Sequence, residues 1–100
     1  MVSVEQVLQF WLDEVGPIGW YAKDDALDAK ITETFLETWQ KVANADCEGQ
    51  ELKAWFETPE SMLALLIVLD QFSRNMFRDD ARAFSSDARA RAVALSLIHI

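Results

Sequence analysis

At 100 residues, 51% hydrophobic and 26% charged, the chain is long enough for one packed core and too short for two domains. A net charge of −8 argues against nucleic acid and anionic membrane as partners, because binding phosphate needs a basic face. The longest apolar run, Met62 to Leu69, is far short of a membrane span. Met1 to Phe10 contains Glu5 and no basic residue, unlike a signal peptide, so the expected location is the cytoplasm.

Ser3 and Gln6 have the spacing of a capping box, and Val4, Val7, Leu8 and Trp11 follow at helical intervals. Gly16-Pro17 with Gly19 predicts a stop and a turn. A second helix begins at Asp24 or Asp25, whose carboxylates suit a helix N-terminus. Its core stripe is Leu27, Ile31, Phe35, Trp39 and Val42, with Glu33 and Lys41 on the wet face. Ala43 to Gly49 reads as a loop carrying the single cysteine, Cys47. That excludes an internal disulfide, and an incidental loop thiol fits better than a nucleophile. A short helix holding Leu52, Trp55 and Phe56 comes next. Trp11 and Trp39 fall on core stripes, whereas Trp20 and Trp55 flank loops where a ring packs one face and leaves its N–H exposed.

Thr58-Pro59-Glu60 is a strong helix start, with a cap, a proline at the first helical position and an acid in the first turn. The long central helix then runs to about Arg78 and breaks at Asp79-Asp80. Ser85-Ser86-Asp87 caps a last helix through Ala94. No stretch shows the period-two alternation of a strand. The expected fold is therefore all-α, built from antiparallel helix pairs with short loops.

The densest polar chemistry follows the apolar run Leu63 to Leu69 on the central helix. At 3.6 residues per turn, Asp70, Arg74 and Arg78 stack at steps of four, with Gln71 and Asn75 in a parallel row. One carboxylate, two guanidinium forks and two amides suit a small anionic ligand. They equally suit a self-satisfied structural network, or a contribution to catalysis. A truncation separates the first two. If Arg74 belongs to a buried pair, Arg74→Ala costs on the order of 3–5 kcal/mol; as part of a ligand site it costs little. Direct catalysis is disfavoured by the lack of an imidazole away from the C-terminus, of a plausible thiol and of a glycine-rich phosphate loop. No metal ligand set and no organic cofactor are expected. All four lysines and thirteen acids lie in residues 1–60, and all five arginines lie in 61–100; a solvated acidic surface is the plain reading of that asymmetry.

Leu95-Ser96-Leu97-Ile98-His99-Ile100 ends the helical pattern abruptly, and it matches the translation of a transposon-end adapter used in sequencing-library preparation. The expectation is that native sequence stops near Ala94 and that 95–100 is a non-native tail; an ordinary apolar helix end is the alternative. His99, the only histidine, carries no functional weight on the first reading.

The segment Leu69 to Arg78, Leu-Asp-Gln-Phe-Ser-Arg-Asn-Met-Phe-Arg, resembles the signature of a largely bacterial family, domain of unknown function 924. Phe10-Trp11, Trp20-Tyr21, Leu27-Asp28-Ala29-Lys30-Ile31, Thr58-Pro59-Glu60, and Ala83-Phe84 with Asp87 match in the same order, so the resemblance spans residues 4–94. It implies an all-helical fold similar to tetratricopeptide-type helix-pair arrays and no established activity. Members are roughly twice this length, with a second half that includes a His-Ser-Glu motif. Residues 1–94 would then be the N-terminal half of one helical domain. Ser73 stands where the family commonly has proline, Asp79 where it has glycine, and Leu27 where it has phenylalanine. With serine at 73, a straight helix is expected there.

Together these readings point to a cytoplasmic helical module that binds a protein or a small ligand. Truncation would leave apolar surface bare and favour self-association. The rival is an enzyme or small-anion-binding protein in which Asp70, Gln71, Arg74, Asn75 and Arg78 act with residues absent from this chain.

Overall fold

The computed structural model describes residues 2–20, 23–44, 53–78 and 80–98. Within them every regular element is helical, and no helix is long and apolar enough to cross a membrane. Ser3 Oγ accepts from the Gln6 amide and opens α1, Val4–Leu8. The chain continues without a break into a wider π-helical stretch, Gln9–Val15. Gly16 then turns at φ +72°, a left-handed backbone that glycine adopts freely. The expected stop at Gly16-Pro17 is thus a reversal into another helical turn, α2, Gly16–Trp20. A Cβ on Gly19 would lie 2.7 Å from Val15 Cγ1, so the close return of α2 depends on that glycine too.

Helix α3, Asp25–Asn44, starts where the acids indicate. Asp24 Oδ1 accepts from the Ala26 and Leu27 amides. Ile31, Phe35, Trp39 and Val42 of its stripe are buried and Leu27 is partly so, while Glu33 and Lys41 are exposed. The region of Cys47, Leu52 and the loop after Asn44 lies outside the described residues. Trp55, in the 3₁₀ turn Ala54–Phe56, is buried.

Helix α4, Pro59–Leu66, is capped by Thr58, whose hydroxyl accepts from the Ser61 amide while Ser61 Oγ accepts from the Thr58 amide. It leads into a second π-helical stretch, Ile67–Phe72, and then α5, Ser73–Met76. The central helix is therefore continuous through Ser73, but it is not the straight α-helix expected there. Its ladder widens just before Ser73, and hydroxyls gather on the displaced carbonyls. Ser73 Oγ lies within hydrogen-bond distance of the carbonyls of Leu69, Asp70 and Ala83, and Ser86 Oγ donates to Leu69 O at 2.6 Å. Buried carbonyls need such partners. Asp80 caps a 3₁₀ turn, Ala81–Phe84, by accepting from the Arg82 amide; Asp79 lies outside the described residues. Helix α6, Asp87–Ile98, runs past Ala94.

α3 packs along the widened stretch and α5, α6 packs along α4 and the widened stretch, and α1 packs on α4. The core forms where these layers meet. Phe72 is fully buried and its ring lies 4.5 Å from Phe35, 5.4 Å from Trp11 and 6.0 Å from Phe10, centroid to centroid. Aromatic pairs at these separations add to the burial term. Phe72→Ala is expected to cost about 3–5 kcal/mol, read as a lower urea midpoint; a loss under about 1 kcal/mol would show that the rings are not the centre of the core.

Candidate functional site

The polar cluster sits where the central helix ends, with Asp70 and Gln71 in the widened turn, Arg74 and Asn75 in α5 and Arg78 beyond its last residue, Met76. Asp70, Gln71, Arg74, Asn75 and Arg78 do not fill one face. They divide into two sets, each completed by an aspartate from another helix. In the first, Arg74 Nη2 reaches Asp70 Oδ1 at 3.1 Å and Asp87 Oδ1, at the start of α6, at 3.6 Å. Gln71 Nε2 donates to Asp70 Oδ2 at 3.1 Å. In the second, Asp28 of α3 is the centre. Arg78 holds it through two guanidinium bonds, Nε to Oδ2 at 2.7 Å and Nη2 to Oδ1 at 3.1 Å, and Asn75 Nδ2 donates to Oδ1 at 2.8 Å.

The two sets differ in burial. The Asp28 side chain is only 14% exposed, against 47% for Arg74. Burial pushes the Asp28 carboxyl up, but the hydrogen bonds from Arg78 and Asn75, with the charges of Arg78 and Lys23, outweigh it and hold the group below its ordinary value of 3.8. Arg82 pairs with Asp80 at 3.0 Å and lies over the Phe77 ring at 4.6 Å.

Two hollows flank the cluster. One, of about 300 Å³, lies between the first helices and the central helix and is lined by Trp11, Leu12, Trp20, Leu63, Leu66, Ile67, Asp70 and Gln71. Trp11 and Trp20 stack here at 6.1 Å and 14°. Trp20 Nε1 donates to the Trp11 carbonyl at 2.7 Å, so its N–H is spent inside the fold rather than exposed as expected. The other hollow, of about 480 Å³, is lined by Arg74, Arg78, Asp80, Ala81, Ala83 and Phe84, with Arg74 over the Phe84 ring at 5.3 Å. Among the described residues no group of three or more His, Cys, Asp or Glu side chains could hold a metal ion.

Bacterial proteins of unknown function grouped as DUF924 match residues 7–100. The chain belongs to that family. A solved structure of a protein of unknown function from Agrobacterium tumefaciens superposes with a TM-score of 0.85 at 35% identity, covering 96% of this chain and 51% of that one. The chain therefore spans about half the length of that relative. None of the curated proteins matches it.

Asp28 and Asp87 complete the cluster, and reading along the central helix did not assign either to it. Asp28 sits one residue after Leu27 and three before Ile31, at the edge of the α3 core stripe. Because the Asp28 pKa is lowered on folding, its stabilisation is complete above the ordinary 3.8 and is lost as pH falls through the lowered value. Asp28→Asn should therefore be less stable than the parent at neutral pH, with the two acid-unfolding curves converging at low pH. Arg78→Ala is expected to cost about 1.5–3 kcal/mol, and the half-exposed Arg74→Ala under about 1 kcal/mol. A larger loss for Arg74 would restore it as the central contact.

Proposed function

We propose that this DUF924 chain is a cytoplasmic, tetratricopeptide-like helical binding module whose ligand seat is the hollow walled by Trp11 and Trp20. The observation that carries the reading is the composition of that wall. It has two stacked indoles and four aliphatic side chains, with Asp70 and Gln71 the polar groups. A largely apolar concavity with few polar groups is the usual form of a small-molecule site. Leu12 and Leu63 are 40% and 36% exposed, so the hollow is open at its rim. Leu63→Arg should block it without disturbing the core: a fragment that shifts the indole N–H resonances of the parent protein should lose that effect in the variant, with helicity unchanged. Fragments that bind both proteins equally would move the seat elsewhere.

A second reading, small-anion binding or an enzyme site completed by residues outside this chain, is favoured by Arg74 and Arg78 both lining the larger hollow. Charge weakens it. Arg74, Arg78 and Arg82 are each already paired with aspartates, so their charge is offset.

Self-association belongs to the same proposal, since Phe84, Leu95 and Ile98 are 59%, 59% and 74% exposed. Exposed large apolar side chains favour contact when they gather into a patch. Light scattering at micromolar concentration should give a mass above the 11.4 kDa of one chain; a sharp monomer would exclude it.

A further inference from the structure

We infer that the Trp11–Trp20 hollow takes a free small organic cation, an ammonium group carried on an apolar body. This rests on the hollow being the ligand seat. Among the described residues lining it, Asp70 is the charged one. Arg74, its ion-pair partner through Oδ1, lines the other hollow and is drawn toward Asp87 as well. Asp70 Oδ2 accepts from the neutral Gln71 amide. The seat thus presents a carboxylate beside indole rings, and ring faces attract cations. An anion meets the opposite. The Trp20 N–H is held by the Trp11 carbonyl and one Gln71 N–H serves Asp70, Asp70 faces the anion with its own charge, and the net charge of −8 repels it. A volume of about 300 Å³ suits a small molecule rather than a folded partner.

The test titrates the full 100-residue chain with benzyltrimethylammonium, its neutral near-isostere 2-methyl-1-phenyl-2-propanol, and benzenesulfonate, following the indole N–H resonances. The cation should saturate the hollow, the neutral compound should bind about tenfold more weakly, and the sulfonate should not bind. Asp70→Asn should bring the cation down to the neutral compound's affinity. Leu12→Lys, which places an ammonium at the exposed rim and leaves Asp70 in place, should do the same if Asp70→Asn folds poorly. Equal binding of cation and neutral compound, unchanged in both variants, would overturn the cation inference and leave the seat standing. No resonance shift with any of the three would overturn both.

Discussion

The widened turn at Ile67–Phe72 is the constraint on which the rest of the molecule depends. It lies in the middle of a helix that is apolar on nearly every side, where water is not at hand to satisfy a displaced carbonyl. The fold meets that demand with hydroxyls. Leu69 O receives Ser86 Oγ from the start of the last helix, and the Ser73 hydroxyl sits among three carbonyls from two elements. Ser86 Oγ also accepts from Trp39 Nε1 at 3.3 Å, so one small side chain ties α3, the central helix and α6 together. π-helical turns are uncommon and recur at functional positions, and this one lies between the aromatic core and the polar cluster.

From that turn the charged groups take separate tasks. Arg78 and Asn75 close on Asp28 and fasten α5 to α3. This is a structural clamp, with its carboxylate held ionised. Arg74 is looser: half exposed, and shared between carboxylates on two helices. Asp70 faces both ways, toward Arg74 through one oxygen and along the indole-walled hollow. A functional role is therefore better sought at Asp70 and its apolar neighbours than at the arginines, although the arginines are the more conspicuous feature of the sequence.

Much of the fold was legible because its signals are local. Thr58-Pro59, Asp24 and the α3 stripe each rest on contacts within one or two turns, and they form as read. The split of the cluster was not legible. A row of side chains at steps of four shows which residues share a helix face only while the helix lasts: Asp70 and Arg74 do meet, but α5 ends at Met76, so Arg78 leaves the row. Asp28 lies 50 residues from Arg78 in sequence, beyond the reach of any periodicity. Trp20 was misread for a related reason: its partner is a backbone carbonyl, which carries no sequence signature.

A π turn closes its hydrogen-bonded ring with one residue more than an α turn. Removing one residue between Ile67 and Phe72 would let the ladder close as ordinary α-helix over the same rotation, so the helix after it would keep its direction and phase. Arg74, Asn75 and Arg78 would stay beside their aspartates, whereas the Leu69 carbonyl would be drawn back into the ladder and away from the Ser73 and Ser86 hydroxyls. Along this segment one extra residue is held without turning the rest of the helix, and its cost falls on the hydroxyls that serve the displaced carbonyls.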